Sequence, residues 1–195
     1  MTTTTLPSGS SVEFNKESES TLAHVRAVWD RVRPNSPIYN LLLGAVNIVS
    51  ASSTGGRIVA WLEVQPIHLN SKRILHGAVS ATLCDWAGGM AIAAATGLPQ
   101  TGVSTDMHLS YASTAREGDT LEIEAWVTRA GRNLGFTRCE IRRGVTAEDG
   151  TKGVVVAEGS HTKYLGFGKA KTDLEGEREG KNQEKVGEGE EGAAS

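Results

Sequence analysis

The sequence predicts an α+β domain, an antiparallel sheet wrapped around a long central helix. Three observations predict it. The stretch Leu75–Thr96 is built almost entirely of Ala, Gly, Leu, Ile and Met and carries a single charge, Asp85. A helix that is apolar all round has to be buried. Four strand-like segments follow it, joined by short turns, and such strands pair largely antiparallel. Ahead of both lies a further helical stripe, with apolar residues recurring at spacings of three and four.

Leu22, Val25, Trp29 and Val32 recur at spacings of three and four, a helical stripe over Ser18–Arg33 that Pro34 ends. Ser36–Leu43 reads as a short second helix. Ala45–Ser50 and Arg57–Val64 are rich in Val, Ile, Leu and Trp and flank a glycine turn, Ser52–Gly56, so they read as a hairpin. A loop, Gln65–Arg73, leads into the apolar helix Leu75–Thr96, which Gly97 and Pro99 stop. The strands Gly102–Ala112, Thr120–Ala130, Asn133–Arg142 and Gly153–Leu165 complete the domain. Strict alternation on the first of these puts Ser104 on one face with Asp106, His108 and Ser110, opposite Val103, Met107, Leu109 and Tyr111. The domain is expected to span 18–167, between a Ser/Thr-rich flexible leader, 1–17, and a disordered tail, 168–195.

Charge and composition exclude several functions. The 195 residues carry a net charge of −3, and the tail holds eight acidic and five basic residues, so the remainder is formally neutral. Such a surface is not that of a general nucleic-acid binder. No run approaches 18 apolar residues free of charge, so no membrane span is expected. Cys84 and Cys139 are too few for a disulfide framework and form no Cys-x-x-Cys pair, which points to a reducing compartment. The cytoplasm is the default, with mitochondrial import the alternative. The histidines show no metal-ligand spacing beyond Asp106-x-His108, which lacks a third ligand, and Gly-x-Ser-x-Gly and phosphate-loop motifs are absent. Neither a metal nor a cofactor is expected.

The residues with chemistry cluster at the start of the apolar helix. A helix N-terminus exposes unpaired N–H groups with partial positive charge, and a glycine there admits a ligand without a Cβ in the way. Gly77 N–H is thus a candidate oxyanion donor. Asn70 and His76 could orient a carbonyl or a water, or could simply cap the helix. Asp85 lies inside Leu83-Cys84-Asp85-Trp86-Ala87, where burial pushes a carboxyl upward toward the range of a general base unless partners satisfy it. Eight helical residues separate Gly77 from Asp85 by about 12 Å. One carbonyl cannot touch both groups of one chain. If they act together, two helices must run antiparallel across a two-fold axis, and the chemistry requires a dimer.

These residues carry a resemblance. Asn70, then Leu75-His76-Gly77, Ala81-Thr82-Leu83-Cys84-Asp85, Gly102-Val103-Ser104-Thr105-Asp106-Met107 and Gly159-Ser160-His161-Thr162-Lys163-Tyr164-Leu165-Gly166 together resemble the hotdog-fold acyl-CoA thioesterases, relatives of the bacterial phenylacetate-pathway thioesterases. The likeness runs from about residue 18 to 166. Ala78 departs from the second glycine usual in the family, and Cys84-Asp85-Trp86 is a local variant.

The resemblance implies roles. Gly77 N–H would polarise the thioester carbonyl, and Asp85 of the facing protomer would activate water or attack directly. Asn70 and Ser104 would hold the water, with His76 orienting the site. The nucleotide of coenzyme A would lie along Tyr111, Ser113 and Arg116, the turn at Arg129, Arg132 and Asn133, and the last strand at Lys163 and Tyr164. The implied product is a free fatty acid from a medium- to long-chain acyl-CoA, made by a homodimer or homotetramer in fatty acid metabolism. Two alternatives stand beside it: a hotdog enoyl-CoA hydratase, against which the Asn70, Gly77, Asp85 and Ser104 set argues, and a non-catalytic acyl-CoA-binding sensor or scaffold.

Overall fold

The computed structural model describes residues 16–166; the expected tail and all but the end of the expected leader lie outside the described residues. Helix α1 (Lys16–Val32) starts two residues before Ser18 and passes at Pro34 into a 3₁₀ turn, Arg33–Asn35. Pro37 opens the short helix α2 (Pro37–Leu43), where a missing N–H costs nothing. The hairpin β1 (Asn47–Ser52) and β2 (Arg57–Glu63) leads through a loop to α3 (Gly77–Thr96), then to β3 (Val103–Tyr111), β4 (Thr120–Ala130), β5 (Leu134–Arg143) and β6 (Val154–Tyr164).

Helix α3 begins at Gly77, not Leu75. Leu75 is held in a bridge to Leu69, and its N–H donates to the Ala115 carbonyl. His76 is extended (φ −71°, ψ 132°), and its Nδ1 accepts the Ala78 N–H at 3.0 Å, which makes it the N-cap. At the other end Gly97 adopts φ 64°, a left-handed cap that glycine takes without strain. Between these ends the helix is long and apolar enough to cross a membrane by length and composition, yet 72% of that stretch is buried in the protein itself.

The six strands form one antiparallel sheet in the order β1-β2-β4-β5-β6-β3. Its inner face, with Ile58, Ala60, Leu62, Leu121, Ile123, Ala125, Cys139, Ile141 and Ala157, closes on Leu83, Trp86, Ala87, Met90 and Ala91 of α3. A Cβ on Gly88 would lie 2.8 Å from Thr137 Oγ1 and 3.0 Å from His161 Nδ1, so only glycine lets α3 settle this close to β5 and β6. On the far side α1 supplies Val25, Val28 and Trp29, and Trp29 meets Trp86 edge-on with ring centroids 5.3 Å apart.

The strands pair antiparallel as expected, and one expectation, the alternation along β3, changes. Strand β3 pairs with β6 rather than with the β4 that follows it, so it forms a sheet edge. The connection from β3 to β4 is hydrogen-bonded on the way, through Ala112 and Ser113 to the Val156 carbonyl and through Gly118 to the Val64 carbonyl. A bulge between Ser104 and Asp106 also breaks the alternation. Ser104 stands opposite Lys163 and Met107 opposite His161, so Ser104 shares the inner face with Met107, Leu109 and Tyr111. Asp106, His108 and Ser110 face outward.

Candidate active site

The centre of the site is the Asp85 carboxylate, near the middle of α3 and half-buried. Ser104 Oγ donates to Oδ1 at 2.7 Å, and the Lys163 ammonium donates to the same oxygen at 2.8 Å. The Tyr39 hydroxyl donates to Oδ2 at 2.5 Å. Strand β6 brings Lys163 and His161 to this point because residues two apart on a strand share a face. His161 Nε2 lies 2.9 Å from Ser104 Oγ. Since the serine proton goes to the carboxylate, Nε2 carries a hydrogen and donates to Oγ.

These partners reverse the expected acidity of Asp85. Burial pushes the carboxyl up, but the Lys163 ammonium and the hydrogen bonds from Lys163, Tyr39 and Ser104 together pull it down further, to about 2. Asp85 is therefore ionised at every physiological pH. Burial, reinforced by Lys163, lowers His161 to about 4 and keeps the imidazole neutral. Burial, then the bond to Asp85 and its negative charge, raises Tyr39 far above the ordinary phenol range, so the hydroxyl keeps its proton. A cavity of about 250 Å³ opens beside the carboxylate, walled by Val32, Tyr39, Trp86, Met90, Val103 and Lys163.

Lys163 is thus displaced from its expected place. The resemblance puts it among the contacts to coenzyme A, whereas here it is 3% exposed with its ammonium on Asp85 and Ser104. The reason is electrostatic: a lysine on the inner face must find an anion, and Asp85 is the one facing it.

The remaining candidates lie at the other end of α3. Asn70 Oδ1 accepts from the Lys72 N–H at 2.9 Å and closes the loop ahead of the helix; the Asn70 side-chain NH₂ has no partner among the described residues. His76 Nδ1 caps the helix, and its ring is exposed. The bonds of this first turn run from Ala78, Val79 and Ser80 to His76, which leaves Gly77 N–H outside all of them. The Tyr111 hydroxyl donates to the Gly77 carbonyl at 3.2 Å. Ser113 is half-buried and Arg116 exposed near this end.

Arg129, Arg132 and Asn133 are exposed at the opposite end of the sheet, where the Leu165 N–H bonds the Asn133 carbonyl and Tyr164 pairs with Leu134. Along β6, Tyr164 and the partner of Tyr111, Ala157, are seven residues apart, about 23 Å. One chain therefore brings Asp85, Ser104 and Lys163 together and keeps Asn70, His76, Gly77 and Tyr111 apart from them.

Two residues escaped the sequence reading. His161 lies inside the resembling segment, and its inward face was readable from its spacing to Lys163. Tyr39 had no local signal, because it meets Asp85 only through the packing of α2 on α3.

The chain matches the thioesterase superfamily over residues 73–149. It is 35% identical over 129 residues to acyl-coenzyme A thioesterase 13 of Homo sapiens, covering 66% of this chain and 85% of that relative. Zebrafish thioesterase superfamily member 2 superposes with a TM-score of 0.60 at 32% identity, covering 76% of this chain and 97% of that one. The Mus musculus protein of the same name gives 0.59 at 25%, covering 78% and 100%. With this sheet, this central helix and this relatedness, the chain belongs to the thioesterase superfamily, as a hotdog-fold thioester hydrolase.

Proposed function

We propose that this chain hydrolyses medium- to long-chain fatty acyl-CoA to a free fatty acid and coenzyme A, in an oligomer whose sites are each shared by two copies. The observation that carries this reading is the division of chemistry along α3. An ionised carboxylate bonded to Ser104 sits at mid-helix, and a bare Gly77 N–H at the helix tip is about 12 Å away. Each is half of a thioester-cleaving site. An antiparallel second copy supplies the missing half to both.

The exposed edge supports the second copy. Strand β3 carries open apolar side chains on both faces, among them Val103, Met107 and Tyr111. An unprotected edge of this length is a surface for pairing. The acyl chain has an apolar wall to lie against in the cavity beside Asp85, and the relatives named for acyl-CoA point to the same substrate. Arg116, Arg129 and Arg132 are exposed cations suited to its phosphates.

In the proposed reaction the carbonyl oxygen lies on Gly77 N–H, with the helix dipole stabilising the charge that develops there. Asp85 either takes a proton from water as the water oxygen bonds to the carbonyl carbon, or attacks that carbon itself and is released by water. In both routes the C–S bond breaks, its electron pair leaves on sulfur, and the thiolate takes up a proton. Asn70 and Ser104 hold the water, and His76 orients the tip.

The test is a panel of acyl-CoAs from short to long chain, followed by thiol release. Free coenzyme A, rising with chain length into the medium and long range, supports the reading. Binding without thiol release supports a sensor instead, and consumption of an enoyl-CoA double bond supports a hydratase.

A further inference from the structure

We propose that Tyr39 is a positioning residue for the hydrolysis: its hydroxyl fixes the Asp85 carboxylate in one orientation and acts on the reaction only through it. The inference rests on the hydrolase reading above. Asp85 Oδ1 is held by Ser104 and Lys163, and these two bonds alone would leave the carboxylate free to swing about that oxygen. The Tyr39 bond to Oδ2, at 2.5 Å, is the third fixed point. Three donors on two oxygens define the carboxylate plane and leave Oδ2 with one acceptor site unused; both residues line the cavity.

Tyr39 is itself held from several sides. Its ring packs against Trp29, with centroids 6.1 Å apart, and Trp29 packs against Trp86, the neighbour of Asp85 on α3. Helix α2 is tied down by His68, which is buried. Its Nδ1 accepts from the Gln65 N–H at 3.0 Å, so Nε2 carries the hydrogen and donates to the Leu42 carbonyl at 2.9 Å. The titratable groups around Asp85 among the described residues are, besides Tyr39, the charged Lys163 from β6 and the neutral His161 beside it; α2, which holds Tyr39, contains no charged side chain. Burial and the bond to Asp85 hold the proton on the tyrosine hydroxyl, so Tyr39 stays a donor to the carboxylate.

The experiment replaces Tyr39 by Phe, which removes only the hydroxyl. Expected are an unchanged melting temperature to within a few degrees, kcat lowered about tenfold, the range of one hydrogen bond to a charged group, and KM little changed. The acid limb of kcat/KM, and the Asp85 carboxyl titration followed by ¹³C NMR, both move to higher pH. A purely structural role for Tyr39 would leave both midpoints where they are, and unmoved midpoints overturn the proposal.

If Y39F does not fold, 3-fluorotyrosine at position 39 keeps the ring in place. Its ¹⁹F resonance should show a step as Asp85 protonates, a step missing in D85N. A resonance without that step overturns the proposal equally. Should the unmodified protein release no thiol from any acyl-CoA, the hydrolase reading fails by that result, while the two titrations still report whether Tyr39 governs Asp85.

Discussion

At the scale of the residue, the site is an ion pair before it is a catalyst. Asp85 and Lys163 neutralise each other in the interior, and each is costly to leave alone. Asp85→Asn should lower turnover by about 10²-fold or more, the range of a lost general base. Asp85→Ala should lose stability as well, by about 3–5 kcal/mol, because Lys163 is left buried without an acceptor. Adding Lys163→Met to D85A should recover part of that loss; thermal melts that rank the double variant below D85A would contradict the pairing.

The pH dependence follows from the same pair. Asp85 titrates at about 2 in the fold against 3.8 ordinarily, so its contribution to stability is complete above about pH 4 and lost as pH falls through 2. The stability gap between the unmodified protein and D85N should therefore be wide at neutral pH and close in that window. Asp85 was legible as a chemical residue because a charge stood alone in an apolar helix. Its acidity was not, since Lys163 and Tyr39 lie 78 and 46 positions away in sequence and no local pattern links them to it.

At the scale of the element, α3 carries both halves of the proposed site. The first turn tolerates a clean test. Gly77 is at N1, where proline fits, and His76 before it is already extended, the conformation a following proline favours. The Cβ that proline adds would meet the Tyr111 ring at 3.4 Å, ordinary contact. Gly77→Pro should thus keep the helix and delete one N–H, with turnover falling about 10²–10³-fold, as for a lost oxyanion donor. A variant with unchanged circular dichroism and unchanged kcat would remove Gly77 from its role.

The helices and strands were legible to within about two residues at each end, because apolar periodicity and glycine or proline stops mark them. Two features were not. The bulge that turns Ser104 inward inserts one residue without any sequence signature, and the neighbour of β3 is decided by sheet closure, which local pattern does not encode.

At the scale of the whole molecule, the proposed second copy laid antiparallel would account for both the open β3 edge and the divided site. Met107 faces inward at the edge and is still 38% exposed. Met107→Glu should place a charge in that seam, shift the sedimentation mass toward a single chain and abolish turnover with it. An unaltered mass would argue that the copies meet elsewhere.

The most direct measurement mixes two inactive variants, G77P and D85N, under conditions where mass spectrometry verifies subunit exchange. Random pairing makes half of the dimers mixed, and in each of these one of two sites receives an intact Gly77 from one copy and an intact Asp85 from the other. The mixture should regain about a quarter of the unmodified activity. If verified mixed dimers stay as inactive as their parents, Gly77 and Asp85 of different copies do not share a site.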